Sequence, residues 1–192
     1  MSKARMETFS DGVIAILITI MVLELHVPQD VTWRALQPGV PVFFAYVLSF
    51  IFLGIYWANH HHMLLLAERV NGGILWANLH LLFWLSLIPF VTEWMGEHHD
   101  ASAPAALYGI VLLCAGAAYT ILERALIHEQ GPNSQLAAAV GIDKKGLASV
   151  AMYAIAIACA FYRPAVSEAL YASVATLWLV PDRRIEKMIR DA

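Results

Sequence analysis

The residues with the most chemical potential crowd one end of the chain. The run Arg5-Met6-Glu7-Thr8-Phe9-Ser10-Asp11-Gly12 carries charges and hydroxyls straight into an apolar stretch that reaches Val27. A carboxylate that enters a membrane is costly unless it is paired, so Asp11 needs donors. Arg5 on the same helix, and Trp57, His61 and Asn78 further along, are the candidates. Trp offers one N–H, His one or two, Asn two. These residues predict a polar network that fixes the first helix against its neighbours. Thr8 and Asp11 also stand at capping-box spacing, so they offer a second, compatible reading as donors' partners at a helix start.

The run Asn59-His60-His61-His62 invites a metal reading. Consecutive helical positions fan over about 200°, so three imidazoles of one subunit cannot converge on one ion. His80 could join one of them, but no carboxylate or Cys has matching spacing. The two cysteines, Cys114 and Cys159, lie in apolar runs without Cys-x-x-Cys spacing, which excludes a disulfide framework. No nucleophile motif or phosphate loop supports an enzyme, and no cofactor is expected. Glu97-His98-His99-Asp100 reads as a solvated acidic loop.

The elements that must position these groups follow from composition. Of 192 residues, 60% are apolar and 14% charged, with a mean hydropathy of +0.64. Soluble domains run at roughly 45–50% apolar and 25% charged, so the chain reads as an all-α integral membrane protein. With 12 Lys and Arg against 15 Asp and Glu, nucleic acid is not an expected partner. A span needs about 20 apolar residues, and six stretches qualify: Phe9 to Val27, Val40 to Leu66, Val70 to Thr92, Ala103 to Leu122, Gly146 to Tyr162 and Ala165 to Val180. The last two are short and meet in a tight hairpin at Arg163-Pro164. Pro28, Pro38, Pro41, Pro104, Pro164 and Pro181 fall at or beside proposed helix ends, and Pro89 alone bends a span.

Lys and Arg favour the cytoplasmic side. With both termini inside, ten of them face the cytoplasm and two, Arg34 and Arg163, face outward. Lys3 and Arg5 precede an apolar run as in a signal peptide, but Asp11 interrupts it and no small-x-small site follows Leu23, so the run reads as a retained first helix. Residues 1–192 form a single six-helix domain, and 182–192 form a short basic cytoplasmic tail that rests on anionic lipid.

The string Arg5-x3-Phe9-Ser10-Asp11 resembles the signature of the transmembrane protein 175 family of potassium channels. So do Tyr56-Trp57-x2-His60-His61, and Asn78-Leu79 followed by Ile88-Pro89-Phe90-x-Thr92. The resemblance is strong over the first three helices and topological over the last three. One Phe-Ser-Asp string, where eukaryotic members carry two repeats, resembles the short bacterial type. That type implies a homotetramer in the cell inner (plasma) membrane, with potassium as the permeant ion.

At roughly 100° per residue, Gly12, Ile16, Thr19 and Leu23 fall within about 60° of one another, with Ile20 and Val27 flanking. Such a stripe on a membrane helix faces lipid, packed core or a pore. The resemblance implies a pore lined by this helix, narrowed by rings of Ile16, Ile20 and Leu23, with Thr19 adding hydroxyls. An ion passing an aliphatic ring sheds part of its hydration, which penalises potassium less than sodium. The chain lacks the Thr-Val-Gly-Tyr-Gly string of a carbonyl filter. Glu24, near the outer end, would concentrate cations at the pore mouth in four copies. Asp11 lies roughly 80° to 140° from the stripe and points elsewhere. The alternative class is a proton-coupled secondary transporter using Asp11 and the intramembrane histidines, although neither inverted repeats nor broken midplane helices are evident.

Overall fold

In the computed structural model, which describes residues 2–141 and 143–179, every element among the described residues is helical. The tail 182–192 lies outside them. Helix α1 spans Lys3–Ile20 and starts where Ser2 Oγ accepts the Arg5 N–H at 3.4 Å. Thr8 therefore sits inside the helix, its hydroxyl donating to the Ala4 carbonyl at 2.9 Å. This corrects the capping reading of Thr8 and Asp11: the true cap lies six residues upstream of Thr8, because helix hydrogen bonding continues into the charged segment outside the apolar run. At its other end α1 tightens into a 3-10 turn over Met21–Glu24.

A second 3-10 segment, Trp33–Gly39, leads into α2, Val40–Leu65, with Pro41 in its first turn, where a missing N–H costs no hydrogen bond. Lys3 Nζ reaches the Ala67 carbonyl at 2.7 Å, placing a cation at the carbonyl-rich end of α2. Helix α3, Gly72–Ser86, opens on Asn71, whose side chain accepts the Ile74 N–H at 2.9 Å. It breaks at Leu87, and α4 runs Ile88–Glu97. Pro89 has no N–H to offer the Leu85 carbonyl and its ring crowds that oxygen, so the helix yields just before it.

Helix α5 is the longest, Ser102–Gln130, two turns beyond the expected Leu122. A short α6, Gln135–Val140, precedes α7, Lys144–Ala160, and α8, Pro164–Leu179. The tight hairpin between the last two helices occupies the three residues Phe161 to Arg163. Lys3–Glu24, Trp33–Leu65, Gly72–Glu97 and Ser102–Gln130 are long and apolar enough to cross a membrane, and the chain is a multi-pass membrane protein. At 17 and 16 residues, α7 and α8 rise only about 25 Å each against roughly 30 Å of hydrocarbon.

Helix α5 forms the hub, packing against α3, α4, α7 and α8, while α1 packs on α2 and α3. Small residues permit the closest approaches. A Cβ at Gly109 would collide with Tyr171 Oη, and one at Gly96 would meet Val42 Cα at 2.7 Å. Tyr171 is fully buried and donates to the Ala105 carbonyl at 2.9 Å, so its ring is pinned across the α5–α8 contact.

Candidate functional site

The inner face of α1 is set by Met6, Ser10, Ile14 and Leu17 and continued by Met21 of the 3-10 turn, all buried. Their spacing of three and four residues makes one helical stripe against α2 and α3. Ser10 supplies its one polar contact there. Asn78 Nδ2 of α3 donates to Ser10 Oγ at 2.9 Å, and the Ser10 hydroxyl lies 2.9 Å from the Met6 carbonyl. His60 Nε2 of α2 stands 2.8 Å from Asn78 Oδ1. The amide oxygen can only accept, so the ring carries its proton on Nε2, and His60 Nδ1 has no partner among the described residues. Ser10, Asn78 and His60 are buried together, and this triad ties three helices at one point.

A second, more exposed layer runs beside it. Trp57 Nε1 donates to Asp11 Oδ1 at 3.1 Å, and Trp57 stacks on His61 with 6.1 Å between ring centroids and 16° between planes. His61 Nδ1 lies 3.3 Å from Glu7 Oε1. The expectation of one network gathered by Asp11 is thus corrected to two. Asn78 bonds Ser10, His61 faces Glu7, and the exposed Arg5 side chain makes no hydrogen bond or ion pair among the described residues. Phe9 is half exposed. His60 is the residue that sequence reasoning missed. It shares the buried face of α2 with Ser49, Phe52, Leu53, Met63 and Leu64, and that periodicity singles out His60 over His61.

A third polar cluster also went unforeseen. Thr92 Oγ1 of α4 lies 2.7 Å from Ser49 Oγ and 2.6 Å from the Ile88 carbonyl. Ser49 Oγ in turn lies 2.9 Å from Tyr108 Oη of α5. All three hydroxyls are buried, so each hydrogen bond here replaces a partner that apolar surroundings would deny.

Opposite the buried stripe, α1 is bare. Gly12, Ile16, Thr19 and Ile20 are exposed, Ile16 by 63% and Ile20 by 43%, as is Leu23 by 73% in the 3-10 turn. Leu23 and Val27 lie beyond the α-helix, so the regular 100° wheel stops at Ile20. Thr19 Oγ1 lies 3.0 Å from the carbonyls of both Ala15 and Ile16. Its proton is engaged by the backbone, leaving lone pairs outward. Glu24 is half-buried and faces Glu93 of α4, with His26 and Glu97 close by.

The TMEM175 family, described as the endosomal/lysosomal potassium channel TMEM175, matches residues 5–89. That range holds both layers around α1. A potassium channel of Chryseobacterium sp. (strain P1-3) is 52% identical over 191 residues, covering 100% of both chains. A potassium channel of Streptomyces collinus is 35% identical over 128 residues, 62% of each chain. The crystal structure of a lysosomal potassium-selective channel TMEM175 homologue from Chamaesiphon minutus superposes with a TM-score of 0.81 at 26% identity, over 93% of this chain and 96% of that one. With a relative this similar along its whole length and a shared arrangement of helices, the chain belongs to the TMEM175 family of ion channels.

Proposed function

We propose that the protein is a potassium-selective channel, a homotetramer in the inner (plasma) membrane with six spans and both termini cytoplasmic. The observation that carries the reading is the bare face of α1, where Gly12, Ile16, Thr19, Ile20 and Leu23 are all exposed in the subunit. One narrow stripe cannot enclose an ion path, so four copies around an axis supply the walls. The potassium channels of Chryseobacterium and Streptomyces collinus support the choice of ion.

In this arrangement Ile16, Ile20 and Leu23 form aliphatic rings that strip water from a passing ion, and potassium loses least by it. Thr19 contributes outward oxygen lone pairs at the same depth, which suit a cation. Four Glu24 side chains, each beside Glu93, raise cation concentration at the outer mouth. The Ser10–Asn78–His60 triad and the Asp11–Trp57 pair hold α1 at a fixed angle to the axis without touching the ion.

The test is flux of potassium and of sodium into liposomes holding the purified protein, beside an Ile16→Asn variant. The wild type prefers potassium, and the variant conducts with a potassium-to-sodium ratio lowered about tenfold, equivalent to about 1.4 kcal/mol of barrier difference. Unchanged selectivity in Ile16→Asn overturns the assignment of the ring. No flux of either ion overturns the channel reading.

A further inference from the structure

Away from α1, the helices α2, α5, α7 and α8 enclose a cavity of about 520 Å³. That volume lies within the range of pockets that hold drug-sized molecules, roughly 300–1,000 Å³. One face of α5 forms its long wall, because Leu113, Gly116, Thr120 and Glu123 recur at helical spacing. The walls are strongly aromatic, with Tyr56, Tyr119, Tyr153 and Trp178 among them. Tyr119 Oη donates to the Asn59 carbonyl at 3.1 Å, and Trp178 Nε1 donates to Ser149 Oγ at 2.8 Å. With those donors committed to the protein, what the two side chains offer a guest is ring surface.

The polar end is unbalanced. Glu123 is only 9% exposed, lines the cavity, and makes no hydrogen bond or ion pair among the described residues. Its carboxylate oxygens open into the cavity and have no hydrogen-bond donor among the described residues, so a cation entering the cavity reaches them directly. Its neighbour Arg124 also lines the cavity and its charge favours the Glu123 carboxylate, but it is exposed and forms no ion pair with it. Asp143, on the rim, is exposed and already accepts the Gly146 N–H at 2.7 Å as the cap of α7. Lys145 Nζ sits 5.9 Å from the centroid of the Trp178 ring. An ammonium is thus already drawn to one of these aromatic walls, while among the described residues none pairs with Glu123.

We infer that this cavity binds an amphipathic cation, an ammonium carried on an aromatic or alkyl body of about ten carbons. The ammonium meets the Glu123 carboxylate, and the body lies along α5 toward Leu113, within the roughly 15 Å of helix between the two residues. Ring faces of Tyr119 and Tyr153 add cation–π and apolar contact. Neither contribution depends on the ion path, so the site stands or falls separately from the channel reading.

The test measures binding of 4-phenylbutylammonium to the full chain in nanodiscs by equilibrium dialysis, with 4-phenylbutanol and 4-phenylbutyrate as neutral and anionic counterparts and empty nanodiscs as background. The ammonium binds at least tenfold more tightly than either counterpart. Glu123→Gln removes that preference and leaves alcohol binding unchanged. Gly116→Leu fills the cavity and removes binding of both; a Cβ there meets only Tyr56 Oη, at 3.7 Å, so the added side chain is directed into open space. Ammonium binding that survives both substitutions, or phenylbutyrate binding as tightly as the ammonium, overturns the proposal.

Discussion

At the scale of single residues, the polar side chains around α1 divide by burial, and burial sets their energetic weight. Asn78 supplies both hydrogen bonds of the triad, accepting from His60 and donating to Ser10. Asn78→Ala leaves the buried His60 Nε2–H unsatisfied, at about 1–3 kcal/mol, and leaves Ser10 Oγ only its bond to the Met6 carbonyl. Asp11→Ala removes one bond from the half-exposed Trp57, and water or a headgroup takes its place, at about 0.5–1.5 kcal/mol. Asn78→Ala is therefore expected to lower the thermal midpoint in detergent by several degrees more than Asp11→Ala. Fluorescence-detected size-exclusion after heating reads the difference, and equal losses in the two variants contradict the division into layers. Trp57, His61 and Asn78 were legible from the sequence as donors. Their pairing was not, since a carboxylate's need for donors does not say which helix face each donor occupies. Only the rotation of α2 and α3 about their own axes settles that Asn78 turns to Ser10 and His60.

At the scale of elements, the helices extend where their hydrogen bonding continues, irrespective of where charge begins. A search for charge-free runs finds the membrane-buried portion of α1 and α5. It misses the turns from Lys3 to Thr8 and from Glu123 to Gln130, which remain helical outside it. The break at Leu87 was legible because proline acts locally, whereas the short α6 carries no periodic signal over its six residues. Close packing was not legible either, because a glycine in a sequence does not reveal its neighbour. Gly109 faces Tyr171 Oη, which an added Cβ would strike, and Ile157 Cγ1, 2.8 Å from an ideal Cβ. Gly109→Ala must push α8 away from α5 and disturb the bond from Tyr171 to Ala105. Overpacking of this kind costs about 1–3 kcal/mol, so the variant should melt earlier than wild type. Adding Tyr171→Phe removes the nearest atom and recovers part of the loss. A Gly109→Ala protein as stable as wild type would show that α5 and α8 stand further apart.

At the scale of the whole molecule, one subunit leaves an unusual residue pattern unexplained within itself. Helix α1 buries Met6, Ser10, Ile14 and Leu17 but leaves Ile16, Ile20 and the adjoining Leu23 exposed. Lipid would accept those side chains, yet it gives no reason for Gly12 and Thr19 to share the face, nor for two polar layers to brace the helix from behind. The proposed central axis would supply that reason, since rings of side chains conduct selectively only if their radius is held. The two arrangements separate by cross-linking. In a background with Cys114 and Cys159, the chain's two cysteines, replaced by Ser, Ile16→Cys around an axis lies beside its counterparts. A short bismaleimide applied to membranes should then give covalent dimers on denaturing gels. Ile14→Cys, fully buried within the subunit, should give monomers under the same treatment. If α1 faces lipid instead, Ile16→Cys also remains monomeric, and the four-fold ion path fails with it.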